Sequence, residues 1–206
     1  ESKVVDAEGK PLVVYHGTRQ GGFDTFRPKY RKSEQLGFGV HFAEKESFAE
    51  RYATDDTVAR KGKNPENYSV YLNINNPLLA DAIFSEGTPE FDLAKKLAGN
   101  KFYALKNPDT GLRDTYLQSA IDSTSPQRAE KIIREAGYDG VRYTSRIISP
   151  NGYRSASVTD ESPSWIVFDP TQIKSAIGNR GTFDGSSNNI LLSKGNPQPT
   201  PQDRAI

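Results

Sequence analysis

The sequence contains no cysteine, only two histidines and no long apolar run. The missing cysteines exclude a disulfide framework and a thiolate zinc site, and two histidines are too few for a histidine-rich metal centre, so we expect no bound metal. No segment approaches the ~20 apolar residues of a membrane span, and no signal-peptide pattern opens the chain, so we expect no membrane partner. The start at Glu1 suggests a piece of a longer protein, which makes missing targeting signals uninformative.

Charge and composition describe an ordinary small domain. Lysine plus arginine number 27 and aspartate plus glutamate 26, for a net charge of +1, which argues against a nucleic-acid surface without excluding one. The 206 residues are enough for one domain with a sizeable core. Only 34% of them are hydrophobic, so we expect generous loops. We expect a monomer.

Both histidines lie in one glycine-broken stretch, residues 13–53. His16 follows a short apolar run and precedes Gly17, and His41 lies in a second apolar run, residues 38–43. Imidazole changes charge near neutral pH and hydrogen-bonds in either state, so a site is worth proposing here. The alternative is that each imidazole is a satisfied strand residue, and composition alone leaves both interpretations open.

The rest of the chain mixes short strands and helices without fixed alternation, which is typical of an α+β fold. Thr88 and Ser125, each followed by proline, predict helix starts. Residues 115–121 are expected to be helical, residues 145–162 to form a polar loop and residues 165–168 to form a strand. The glycine-, serine- and proline-rich end predicts a domain over residues 1–184 and a flexible tail over residues 185–206.

Several short motifs follow one another in a fixed order. Residues 15–18 read YHGT, a segment with Gly39 and Phe42 comes next, Tyr52 follows, and a late strand opens at residue 165. This order resembles the ADP-ribosyltransferase fold, in the diphtheria-toxin-like and poly(ADP-ribose)-polymerase-like branch with His, Tyr and Glu motifs. Residues 165–184 are also similar to the ends of such domains in phage and mobile-element polyvalent proteins, including domains attached to minor head proteins.

The resemblance implies split β-sheets with flanking helices around a cleft that binds NAD as substrate. Gly17 would pair the nicotinamide carboxamide through its backbone, and Tyr52 would stack on the nicotinamide ring. His16 would bind the adenosine-side ribose, and Thr18 would assist. Gly39 and Phe42, from the second motif, are expected to line the cofactor site as well.

Two departures from the family pattern concern catalysis. His41 stands where the family has the tyrosine of its triad, so we expect the charge state of His41 to tune activity. The family glutamate is missing from the late strand, where Ser164 precedes Trp165. Either Ser164 or a carboxylate upstream, Glu161 with Asp160 beside it, would have to replace it. A serine can bind a hydroxyl but cannot oppose a developing cation.

The expected activity is therefore transfer of ADP-ribose from NAD to a macromolecular acceptor, expected to be a protein, with release of nicotinamide. Two alternatives stay open: an inactive relative that binds NAD or a partner, and an RNA 2′-phosphotransferase of the same fold. The second would gather arginines such as Arg19, Arg142 and Arg180 around a phosphate. A phage-borne protein or a toxin delivered into a target cell and acting in its cytoplasm is the expected setting.

Overall fold

The computed structural model describes residues 1–32, 34–56, 62–148, 158–177 and 185–191. Its strands are β1 (Val14–Thr18), β2 (Val40–Ala43), β3 (Glu66–Leu72), β4 (Pro77–Leu79), β5 (Ile83–Ser85), β6 (Leu105–Lys106), β7 (Arg113–Tyr116), β8 (Gly140–Ile148), β9 (Val158–Val167) and β10 (Ile173–Ser175). Its α-helices are α1 (Glu46–Thr54), α2 (Pro89–Ala98), α3 (Leu117–Asp122) and α4 (Pro126–Glu135), and short 3₁₀ turns cover Gly99–Lys101 and Pro170–Gln172. None of these helices is long and apolar enough to cross a membrane.

Two helices begin at the capping residues that the sequence predicts. The Thr88 hydroxyl accepts the backbone N–H of Phe91 at the start of α2, and the Ser125 hydroxyl accepts that of Arg128 at the start of α4. Each cap satisfies a backbone donor that has no partner within its helix, and the proline that follows has no N–H to satisfy. These local signals fix both helix starts.

The strands form one large mixed sheet and one small sheet, so the expected α+β class is confirmed. The large sheet has seven strands in the order β10-β3-β1-β2-β9-β8-β4, antiparallel except for the parallel pair β4–β8. The small sheet has the order β5-β7-β6. Its strand Arg113–Tyr116 occupies the start of the predicted helix 115–121, because pairing with β5 and β6 competes there with the local helical pattern.

The two faces of the large sheet pack against different material. Helices α2, α3 and α4 cover one face, where they pack against Val141, Tyr143 and Ile166. Helix α1 covers the same face beside Ala43. Side chains of the opposite face, including Phe42 and Trp165, pack against Phe26 and the start of the chain. Because successive strand residues alternate between faces, a side chain's parity along its strand decides which layer it joins.

Strands β8 and β9 extend into the segment 145–162, which the sequence predicts to be a loop. Thr144, Arg146 and Ile147 pair with Pro163, Glu161 and Asp160, so much of that prediction is wrong. Polar residues hid the strands because one face of this hairpin is exposed to solvent. Residues 149–157 lie outside the described part of the chain.

The first part of the expected tail, residues 185–191, packs against the domain. Ile190 is buried, and its backbone bonds to Asp24 and Ser175. The buried Lys174 ammonium donates to the carbonyl groups of Ser187 and Asn189. Residues 185–191 thus pack against the domain in this structure, and the expected domain boundary at residue 184 with a flexible tail after it stays a prediction. Residues 192–206 lie outside the described residues.

Candidate active site

Strands β1 and β2 pair through Tyr15 and Ala43 alone among the described residues. The large sheet is therefore nearly divided between these two strands, whose ends beyond this pair carry His16, Gly17 and His41. Backbone groups that a ladder does not use need another partner. The neighbourhood of this gap is thus where a ligand could hydrogen-bond to the main chain.

Gly17 turns its backbone polar groups toward the gap. Ala176 donates its N–H to the carbonyl of Ser69, so the backbone groups of Ser69 face β10. Hydrogen-bonding direction alternates along an antiparallel strand, so the neighbouring Tyr68 bonds to its partner His16 on β1. One residue further along β1, the N–H and C=O of Gly17 face the β2 side. This is the donor–acceptor pair that a carboxamide would match.

The side chain of His16 hydrogen-bonds to the backbone carbonyl of His41 on the other side of the gap. Its Nδ1 lies 2.7 Å from the backbone oxygen of His41, so Nδ1 carries the proton and donates. Extending the pair Tyr15–Ala43 would set His41 opposite Gly17. The imidazole therefore replaces a ladder bond between these two residues. Burial lowers the pKa of His16, which favours a neutral ring with Nε2 as an acceptor.

Gly17 also determines how closely α1 approaches the sheet. A Cβ at this position would overlap the carbonyl oxygen of Ala49, so the helix backbone lies directly on β1. One turn later α1 carries Tyr52, half-buried beside Phe48, with ring centroids 5.8 Å apart. The absent side chain at Gly17 thus lets the helix that carries Tyr52 pack directly on β1.

The ring of His41 is held at both nitrogens by protein groups. Nε2 lies 3.0 Å from the carbonyl oxygen of Phe38 and Nδ1 lies 2.6 Å from the hydroxyl of Tyr143. A carbonyl only accepts, so Nε2 carries the proton and Nδ1 accepts from Tyr143. Burial lowers the pKa of His41 to about 4. The ring is therefore neutral near pH 7, and the role of its charge in activity stays a prediction.

Tyr143 is a site residue that the sequence did not indicate. Burial raises the pKa of its hydroxyl well above the ordinary value, so the group stays protonated and donates to His41. The hydroxyl of Ser145, two residues along β8, interacts with both Tyr143 and Tyr52 and opposes the rise in their pKa values. Tyr143 and Ser145 lie two residues apart, which places both side chains on one face of a strand. Without the strand register, this spacing does not show which residues they contact.

Most of the chain matches one known protein family. The model for ADP-ribosyltransferases in polyvalent proteins matches residues 6–183. The chain belongs to this ADP-ribosyltransferase family. The match confirms the resemblance and the fold inferred from the motifs and supports transfer of ADP-ribose as the general activity. No curated protein and no solved structure matched the chain.

The predicted catalytic positions on β9 fall on both faces of the ADP-ribosyltransferase sheet. Ser164 pairs with Ala43 and Tyr143, whose side chains share its face, and its hydroxyl donates to the carbonyl of Ser162. Ser164 is 1% exposed, so a ligand could reach it only if the covering layer moved. Glu161 has the opposite parity, is more than half exposed and pairs with Arg146 at 3.4 Å. Their catalytic roles stay predictions.

Asp160 shares the face of Ser164 but already has cationic partners. Its carboxylate lies 3.2 Å from the ammonium of Lys45 and 3.8 Å from the guanidinium of Arg51. The Lys45 ammonium also donates to the backbone oxygen of Glu161. This network ties the hairpin to α1. The ion pairs of Asp160 therefore hold the β8–β9 hairpin against α1.

Three further predicted cofactor-binding residues of the ADP-ribosyltransferase have structural surroundings of their own. Phe42 is 1% exposed and supports His16 from the core, with ring centroids 5.5 Å apart. Gly39 has a φ of 74° and passes so close to Ile166 that a side chain would collide with it. The Thr18 hydroxyl accepts the backbone N–H of Gln20. Their contacts with NAD stay predictions.

Proposed function

We propose that the protein is a mono-ADP-ribosyltransferase that moves ADP-ribose from NAD to a protein acceptor and releases nicotinamide. The observation that carries this proposal is the gap between β1 and β2, where the backbone of Gly17 faces β2 and His16 already satisfies the carbonyl of His41. The carboxamide of nicotinamide offers one acceptor and a pair of donors, which complements the N–H and C=O of Gly17.

The side chains around the gap suit the remaining parts of NAD. Tyr52 would stack on the nicotinamide ring, and the neutral ring of His41 would line the pocket without repelling the pyridinium charge. His16 would accept a ribose hydroxyl at Nε2, since Nδ1 is already used. Each contact orients the substrate, and orientation by itself lowers the barrier of a transfer reaction.

In the reaction, the bond between nicotinamide and C1′ of its ribose breaks and the electron pair leaves with the neutral nicotinamide. A nucleophile of the acceptor forms the new bond to C1′ and loses its proton. Positive charge develops on the ribose between these events, as in glycoside cleavage. A negative group near the ribose would therefore accelerate the step.

Calorimetry with NAD tests the binding half of this proposal. Tyr52→Ala should weaken NAD binding roughly threefold to tenfold through the lost stacking energy and leave the fold intact. Tyr103→Ala is the matched control, since this residue precedes β6 and is 69% exposed. An unchanged affinity in Tyr52→Ala would remove Tyr52 from the site, and no heat from the wild type at millimolar NAD would reject NAD as substrate.

An inactive relative that binds NAD without chemistry is the second candidate. The neutral, buried Ser164 at the position of the family glutamate favours it. Labelled NAD incubated with the protein and a lysate separates the two: label on protein supports transfer, whereas bound NAD without label supports the inactive relative.

The described arginines give less support to an RNA 2′-phosphotransferase. Arg19 pairs with Asp56 at 2.7 Å. Arg142 stacks on Trp165 and pairs with Glu44, on the opposite face of the sheet, where it lines a cavity of about 550 Å³. Arg180 lies outside the described residues. A phosphate site would need these cations gathered around one point.

A further inference from the structure

The candidate site contains no free carboxylate from the late strand. Glu161 points away from His41 by strand parity, Ser164 carries no charge, and Asp160 is engaged by Lys45 and Arg51. Cleavage of the nicotinamide–ribose bond nevertheless calls for a negative group near the ribose. If the proposed function holds, a carboxylate from another segment must supply this negative group near the ring residues of the site.

Glu34 is the carboxylate whose charge acts on all three of these rings. It raises the pKa of His41 against the larger lowering effect of burial. It also adds to the rise that burial produces in the pKa values of Tyr52 and Tyr143. The charge of Glu34 thus acts on groups contributed by β2, α1 and β8.

The segment after Glu34 is tied directly to the strand that carries Tyr143. The amide of Gln35 donates to the backbone oxygen of Thr144 at 3.1 Å, between Tyr143 and Ser145 on β8. One residue further, the N–H of Leu36 donates to the carboxylate of Asp122 at 3.2 Å. These bonds tie the residues that follow Glu34 to β8 and α3, and the same segment reaches the His41 ring through the carbonyl of Phe38.

The same loop keeps a backbone conformation that a leucine rarely adopts. Leu36 has a φ of 47°, and its side chain is 1% exposed. Such strain persists only where the surroundings enforce it, often at functional sites. The next residue, Gly37, lies so close to Arg31 that an added Cβ would overlap the carbonyl oxygen of Arg31. The backbone is thus closely packed at Leu36 and Gly37.

The partner of Glu34 is easily exchanged. Its carboxylate lies 2.6 Å from the guanidinium of Arg31, and the two side chains are 48% and 54% exposed. Exposed ion pairs of this kind contribute little stability, so a ligand can replace Arg31 at small cost. Asp160, by contrast, lies between two cations and is 23% exposed.

We propose that Glu34 is the catalytic carboxylate of this ADP-ribosyltransferase, in place of the missing glutamate on β9. Its carboxylate binds the 2′-hydroxyl of the nicotinamide ribose and opposes the positive charge that develops at C1′. As the acceptor nucleophile bonds to C1′, its proton passes to the Glu34 carboxylate and then to water. Nicotinamide departs with the electrons of the broken bond, so atoms and charges balance.

The test measures nicotinamide release from NAD and, separately, NAD affinity. Glu34→Gln should slow release about 100-fold, the typical cost of removing one electrostatic stabiliser from a transition state. NAD affinity should stay within roughly tenfold, since one charge-assisted hydrogen bond is weakened. Glu135→Gln is the matched control, because Glu135 is 47% exposed and paired with Lys96 at 3.2 Å, far from the gap in sequence and on α4. It should keep the wild-type rate.

Glu34→Asp separates charge from loop packing. It keeps the carboxylate and shortens its reach, so it should release nicotinamide faster than Glu34→Gln. Equal rates in these two variants, or full activity in Glu34→Gln, would overturn the assignment, as would loss of activity in Glu161→Gln alone.

Measurements on the wild type separate a failure of the role of Glu34 from a failure of the proposed function. A protein that binds NAD and never releases nicotinamide would overturn the role of Glu34 and leave NAD binding intact. A protein that does not bind NAD would reject the proposed function and the role of Glu34 with it.

Discussion

Two junctions between neighbouring strands of the large sheet, the complete junction β8–β9 and the interrupted junction β1–β2, differ in how fully their backbones pair. Strands β8 and β9 pair at nine positions, from Gly140–Val167 to Ile148–Val158. Strands β1 and β2 pair at Tyr15–Ala43 alone in the described part of the chain. A full ladder satisfies its backbone groups internally, whereas an interrupted one leaves them to side chains or ligands. The candidate site lies at the interrupted junction, and the complete junction supports it.

The two histidines reflect the same difference. His16 uses one nitrogen to complete the interrupted junction and keeps Nε2 available for a ribose hydroxyl. His41 uses both nitrogens on protein groups, one of them the hydroxyl of Tyr143 from the complete junction. One imidazole is thus suited to ligand binding, and the other links the two junctions.

The largest expected effect comes from closing the approach of α1 at the interrupted junction. Gly17→Ala should destabilise the fold by about 3 kcal/mol and abolish NAD binding, because its Cβ would meet the backbone of Ala49. Urea unfolding and calorimetry measure the two effects. Gly140→Ala tests the complete junction and should cost less, since the nearest atoms to its added Cβ lie at 2.8–2.9 Å, against 1.7 Å at Gly17. Equal losses of stability in Gly17→Ala and Gly140→Ala would show that the close approach of α1 does not distinguish the two junctions.

Acid should weaken the link that His41 makes between the junctions. Its pKa is about 4 in the folded protein against 6.5 ordinarily, so the unfolded chain binds the proton first as the pH falls. Stability from this group is complete above about pH 6.5 and declines by about 3 kcal/mol in total as the pH approaches 4.

Urea unfolding at several pH values measures that decline. His41→Gln keeps a donor and an acceptor but does not titrate, so its stability should depend less on pH. Some dependence should remain, because the pKa of His16 is lowered too and acts with the same sign. An identical slope in the variant would show that His41 does not carry the effect.

The smallest effect concerns a single hydroxyl. Tyr143→Phe removes the donor to Nδ1 of His41 and should cost about 1–2 kcal/mol, because it leaves a buried acceptor unsatisfied. Tyr138→Phe is the control, since its hydroxyl meets the carboxylate of Glu90, which lies nearer to water. Urea unfolding distinguishes them, and equal losses would mean that the Tyr143–His41 bond does not connect the junctions.

Local signals in the sequence predicted much of the scaffold. The caps at Thr88 and Ser125 set two helix starts, and the apolar run from Trp165 lies in β9 with Phe168 just beyond it. The small sheet was missed because its pairing partners, such as Ile83 and Tyr116, are far apart in the chain. Short polar strands have no signature of their own until a partner fixes their register.

The sequence by itself determined the family, the α+β class and the motif residues His16, Gly17 and Tyr52, since these depend on residue type and order. Only the tertiary structure decided that Tyr143 hydrogen-bonds to His41, that Glu161 and Ser164 face opposite ways, and that the segment after Glu34 is bonded to β8. The physical reason is strand register: side chains alternate between faces, so function depends on which distant residues become neighbours.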